Sequence, residues 1–249
     1  MMNVFRSELF KLRTTRATKV VWLSAVILPS IIFVLTAIFG FNNDFVDRTL
    51  IWYLGSASSA LVGLLMGVVG VLCSTQEYSQ GTIRITLVAT PSRSHVIVAK
   101  FLTVLWMTIL GTAALITLSL VPAIAIMNAR DLSFSVLGSD IRILFSMFLL
   151  TIGLGQLGLF LGIIFKSSPG ALSALLLWPT IIEALIFGLL SLIFDDARLR
   201  FAPIQGNGFS LVADRYPEDN SWAMSLGYFY GFIAIFVMLG VIVFRRRDA

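Results

Sequence analysis

Cysteine and histidine are nearly missing from this chain: Cys73 and His95 are single occurrences. One cysteine excludes an internal disulfide framework and any multi-cysteine metal cage. One imidazole has no partners of its own kind, so zinc chemistry lacks its usual donor set and no metal site is expected. Both residues read most simply as inert, Cys73 as a small apolar filler and His95 as a solvated side chain. Charge is scarce as well, at 12% of the 249 residues against 58% apolar. Soluble domains carry about a quarter charged residues, so this chain has too little polar surface to cover a water-soluble core. The net charge of +5 does not point to nucleic acid, because the basic residues are sorted by position along the chain. Three motifs are missing too. Without G-x-x-x-x-G-K-[ST] the chain has no P-loop of its own, and neither G-x-S-x-G nor H-E-x-x-H occurs. A membrane-embedded hydrolase or lipid transferase would lack its acid, base and nucleophile.

What the sequence has in quantity is long uncharged runs. A bilayer span needs about 20 mostly apolar residues. Such runs occupy Val20 to Asn43, Thr49 to Gln76, Phe101 to Ala129, Ile143 to Phe165, Ser167 to Phe194 with Glu183 inside it, and Asn220 to Phe244. They predict an all-α integral membrane protein, since an open sheet leaves its edges unsatisfied in lipid and the alternation of a membrane barrel is absent. The expected spans cover 20–40, 51–74, 100–127, 142–165, 170–193 and 221–244, in one domain over 1–249.

Lysine and arginine sort these spans into an orientation. Arg6, Lys11, Arg13, Arg16 and Lys19 precede the first. Arg84, Arg93 and Lys100 follow the second, Lys166 the fourth, and Arg245 to Arg247 the sixth. The opposite loops hold nine acids against six arginines. Both termini are therefore expected in the cytoplasm, with the chain in the inner (cytoplasmic) membrane. Residues 1–19 place Phe5, Leu9 and Leu12 at helical spacing among basic residues. That pattern predicts an amphipathic helix in the membrane interface, with Arg6, Lys11, Arg13, Arg16 and, at the start of span three, Lys100 as anchors at lipid phosphates. No small-residue cleavage site follows the first run, which reads as an uncleaved anchor. The loop from Asp195 to Asn220 mixes apolar patches with Pro203, Gly206 and Gly208. A partly re-entrant excursion and a surface loop both fit it.

Inside span four, Gly153 to Gly158 match G-x-G-x-x-G without the strand that a nucleotide site requires. Gly158 with Gly162, and Gly63 with Gly67, give G-x-x-x-G spacings instead. Such spacings predict close helix contact without saying which helices touch. Glu183 is the ionisable residue well inside a span, a placement that costs roughly 3 kcal/mol on insertion scales. It fits a substrate path or a hydrogen-bonded packing role beside Pro179.

The stretch "EYSQGTIRITLVATPSR", residues 77 to 93, is polar and lies between two spans. Ile83, Ile85 and Leu87 alternate with Arg84 and Thr86 as a strand would. The same residues can form a short helix, capped by Thr82 and stopped at Thr90–Pro91. Local pattern leaves the two open, although a lone strand at a membrane surface would lack a ladder partner.

Residues Gln76 to Lys100 resemble the first cytoplasmic loop of ABC type-2 permeases. The pattern is Glu77 before Gly81–Thr82, a short hydrophobic helix carrying Arg84 and Leu87, then Pro91, Ser92 and Arg93, with Lys100 opening the next span. The basic N-terminal helix, six spans and a longer loop before the last are similar as well. The resemblance implies a cytoplasmic coupling helix between spans two and three, seated on a separate ATPase. It assigns Glu77 to holding the loop against a basic residue, Gly81 to the turn, Thr82 to the cap, Arg84 to an acidic ATPase residue, Pro91 to the helix stop and Arg93 to lipid phosphate. The implied activity is that of a permease subunit of an ATP-driven exporter of lipophilic or amphipathic substrates, such as antibiotics or peptides. The chain would not itself be an enzyme. Implied partners are two copies of an ABC ATPase, which hold the ATP and magnesium, a second permease copy or paralogue, and membrane lipid. The alternatives are a non-transporting membrane assembly factor and a lipid-modifying membrane enzyme.

Overall fold

The computed structural model describes residues 2–39, 54–55, 59–82, 88, 92–130, 138–193, 201–213 and 220–246. They are helical, with no strand among the described residues. The N-terminal helix α1, Met2–Thr14, is followed by α2, Arg16–Phe39. Then come α3, Ser59–Ser79, α4, Arg93–Asn128, and α5, Gly138–Phe165. The fifth span is broken: α6, Ser168–Leu177, passes through a π-helical turn, Trp178–Ile182, into α7, Glu183–Ile193. A second π-helical segment, Pro203–Gly208, runs into α8, Phe209–Ala213, and α9, Trp222–Arg246, closes the chain.

Among the described residues, six helical stretches are long and apolar enough to cross a membrane, and the chain is a multi-pass membrane protein. The helices overrun the expected spans at one end. The second reaches Ser79 and the third starts at Arg93, so Glu77 sits on helix rather than in loop, and Lys100 lies two turns inside its helix rather than at its start. The interruption at Pro179 follows from chemistry: proline has no N–H to donate and crowds the preceding turn. The wider π turn absorbs the mismatch.

The bundle is built around α3 and α5. Of their apolar windows, 61% and 72% are buried, against 17% for the fifth and sixth spans. Glycine makes this pair close. A Cβ on Gly158 would overlap the carbonyl of Gly67, one on Gly70 would overlap that of Gly155, and one on Gly162 would meet Ser74 Oγ. Gly67 and Gly158, one from each G-x-x-x-G spacing, therefore meet directly, as small residues do where membrane helices pack backbone to backbone. Thr112 and Thr151 add a buried hydroxyl pair at 2.7 Å between α4 and α5.

The two ends of the bundle differ. At one end α1 packs against α4 and α2. Arg93 reaches the carbonyls of Phe244 and Arg245 there, so both chain ends lie on the same side. At the other end the 203–213 segment folds back against α5 and α9. Ile204, Asn207, Leu211 and Val212 in it are fully buried. The segment is thus an excursion covered by protein, the condition under which irregular backbone is tolerated at membrane depth.

Candidate functional site

A ring of four charges occupies the α1 end. On α1, Phe5, Glu8 and Leu12 share a stripe that turns inward; Leu12 and Glu8 are 3% and 2% exposed. Glu77 stands in the last turn of α3, and Lys100 two turns into α4. Lys11 Nζ donates to Glu8 Oε1 at 2.7 Å and to Glu77 Oε1 at 2.6 Å. Lys100 Nζ donates to Glu8 Oε2 at 2.7 Å and to the Cys73 carbonyl at 3.2 Å. It also lies 2.9 Å from Glu77 Oε2. Each ammonium bridges two carboxylates and each carboxylate two ammoniums, so the ring is neutral in sum. Low local polarity strengthens every bond in such a ring and penalises any member left alone.

Lys11 is the member with a solvent-facing side. Partial burial pulls its pKa down, but its hydrogen bonds to Glu77 and Glu8 outweigh that and hold it above its ordinary value of 10.5.

Other polar contacts gather around the ring. Gln76 Nε2 donates to Thr18 Oγ1 at 3.2 Å, tying α3 to α2. Ser168 Oγ donates to Thr75 Oγ1 at 2.7 Å. Lys166, in a left-handed turn at φ 54°, sits 5.4 Å over the Tyr78 ring. Arg93 Nη1 donates to the Arg245 carbonyl at 3.2 Å, satisfying the open end of α9. Gly81 turns the chain out of α3 at φ +66°, with open space where a Cβ would be. Its glycine requirement is therefore conformational and not steric. Thr82 is half-buried in the same turn. Arg84, Leu87 and Pro91 lie outside the described residues.

The geometry corrects one expected role. Lys100 was expected at lipid phosphate, but its side chain is 2% exposed and faces two carboxylates, so no lipid reaches it. Lys11 donates to Glu8 and Glu77 while part of its side chain stays exposed. Arg93 donates one nitrogen to the carbonyls that end the last helix. Arg6, Arg13 and Arg16 are exposed. Sequence reasoning missed Glu8, counting it as one acid among basic neighbours. The signal was present: Glu8 sits three residues after Phe5 and four before Leu12, on the apolar stripe itself. A lone acid there needs a buried cation.

Glu183 stands apart from this ring. Its carboxylate is 1% exposed. It accepts the backbone N–H of Ile204 at 3.1 and 3.2 Å and that of Gln205 at 2.7 Å. Both oxygens are taken by the first turn of the 203–213 segment. Glu183 thus packs against protein and does not face an open path.

A family model described as "Protein of unknown function (DUF2705)" matches residues 48–249. None of the curated proteins matches the chain. Since the match covers most of the sequence, the chain belongs to this family. Helices α1 and α2, with Glu8 and Lys11, precede the matched region.

Proposed function

We propose that this member of the DUF2705 family is the permease subunit of an ATP-driven ABC exporter, energised by a separate ATPase chain. The observation that carries the reading is the charge ring. Glu77, near the end of α3, is held by Lys11 of α1, and Lys100, in α4, by Glu8 of α1, so the helices on either side of the segment between spans two and three are both tied to α1 and to each other. A push on that segment would move α1, α3 and α4 together, because shearing any pair uncovers a buried charge. That is what a coupling element between an ATPase and a membrane bundle has to do: give one contact different energies in two states of the whole.

In this reading the α1 end faces the cytoplasm, where the flanking lysines and arginines favour it. Helix α1 lies in the interface, with Arg6, Arg13 and Arg16 toward lipid phosphate. The segment after the second span would be the coupling helix, with Arg84 meeting an acidic residue of the ATPase. The scarcity of charge within the spans favours a lipophilic or amphipathic cargo. A second copy or a paralogue completes the path.

The test is purification of the tagged chain from its native membrane, followed by identification of bound ATPase and ATPase assays with lipophilic and peptide compounds. An ATPase should co-purify and be stimulated by a subset. Glu77→Ala combined with Arg84→Ala should abolish the association. A chain that brings down no ATPase overturns the reading, and so does an association that survives the double substitution intact.

A further inference from the structure

Glu183 and the 203–213 segment carry an inference of their own. Segment depth follows from its contacts. A Cβ on Gly208 would meet Phe229 at 2.8 Å and Leu150 at 3.5 Å. Phe229 is about 10 Å inside the bundle from the start of α9 at Trp222, at 1.5 Å of rise per residue. At its far end Val212 presents its carbonyl where a Cβ on Gly55 would sit, 2.6 Å away. The segment therefore runs outward, its first turn deep and its last turn near the end of the bundle.

That deep first turn has N–H groups with no earlier helical partner. Glu183 supplies the acceptor for two of them, and a carboxylate at a helix start is favoured by the helix dipole as well. Further along, polar bonds run within the segment and to the chain on either side of it, the one from Asn220 tying it to the start of α9. Asn207 donates to the Ala202 carbonyl at 2.9 Å, Ser210 to the Asn207 carbonyl at 2.8 Å, and Asn220 Nδ2 to Asn207 Oδ1 at 3.0 Å. Against α5 and α9 it offers small or apolar surface, Gly208 on Phe229 above all. Its polar link to the fifth span passes through Glu183, directly after the π-helical turn at Trp178–Ile182.

The geometry points to the 203–213 segment as a plug that closes the end of the bundle opposite α1, with Glu183 as the latch that holds it in. Glu183 is then a positioning residue. Losing its carboxylate opens that end to water and leaves the α1 end closed. The inference does not depend on the transport reading, since it is read by solvent access and not by transport.

Two single-cysteine reporters test it in a Cys73→Ala background. Ser210→Cys reports the plug, and Thr103→Cys, fully buried one turn from Lys100, reports the opposite end. The chain is placed in lipid nanodiscs, where both faces meet a membrane-impermeant maleimide. The quantity read is the labelling rate at 210 divided by that at 103. Glu183→Ala removes the acceptors. Glu183→Gln keeps the size but turns a donor toward the backbone N–H groups. Each should raise the ratio about tenfold or more, the effect of losing one charge-assisted hydrogen bond. Labelling at 210 that does not rise in either variant, or a ratio equal to the parent's, overturns the latch. Equal labelling at both ends would mean that Glu183 supports the whole bundle and not the plug.

Discussion

Lys100 and Glu8 stand 92 residues apart in the chain and 2.7 Å apart in space, each 2% exposed. The contact joins the first helix to the third span. It turns α1 from a separate surface element into part of the bundle.

Removing Lys100 leaves Glu8 and Glu77 sharing Lys11 alone. Breaking a buried pair from one side costs about 3–5 kcal/mol, whereas removing both charges is often near neutral. Lys100→Met should therefore lower Tm sharply in detergent, and Lys100→Met with Glu8→Gln should recover part of the loss. A double-mutant cycle over the pair measures the coupling. Additive losses would mean that the two side chains do not cooperate.

Lys11 gives the ring a pH dependence with a definite sign. Its folded pKa lies above the ordinary 10.5. The stability it contributes is therefore complete below that value and is lost as pH rises through the higher, folded pKa. The Tm difference between the parent and Lys11→Met should stay constant from pH 7 to about 10 and shrink above 10.5. A difference that stays unchanged as pH rises well past 10.5 would contradict this assignment.

Glycines in the bundle divide into two kinds. Gly158 packs on the Gly67 carbonyl, while nothing approaches Gly231. Gly158→Ala should separate α3 from α5 and cost about 1–3 kcal/mol or more, as overpacking does. Gly231→Ala should be neutral or slightly stabilising, since alanine is the better helix former. Thermal unfolding of the two variants side by side decides; equal losses would remove the α3–α5 contact as the explanation.

Arg93 predicts a local effect. Its guanidinium satisfies carbonyls in the last turn of α9. In Arg93→Ala, amide exchange in the last turn of α9 should quicken a few-fold, matching the roughly 0.5–1.5 kcal/mol of a hydrogen bond. Exchange in the middle of α9 should not change. Quickening along the whole helix would point to a wider role.

Much of the architecture was legible because lipid imposes a simple grammar. Helices must satisfy their own backbone, so apolar runs of span length show as helices, and the position of Pro179 shows as a break. The site was legible in halves. Glu77, Gly81, Arg93 and Lys100 stood out because polar residues between spans are few. Their partners did not, because an ion pair depends on helix ends meeting in space. Positive charge near a span end is explained equally well by lipid phosphate, and that hid the inward turn of Lys11 and Lys100. Glu183 was visible as costly, yet the backbone groups that occupy it belong to any sequence and leave no mark in one.

By itself, then, the sequence determined the class of molecule, the number of spans and the sites where charge would be expensive, since those depend on local composition and on the cost of burying polar groups. Only the tertiary structure decided who offsets that cost: Lys100 with Glu8 and Glu77, Gly158 against Gly67, and Glu183 under Ile204 and Gln205. Such partners are distant along the chain, and only the packing of whole helices brings them within bonding distance.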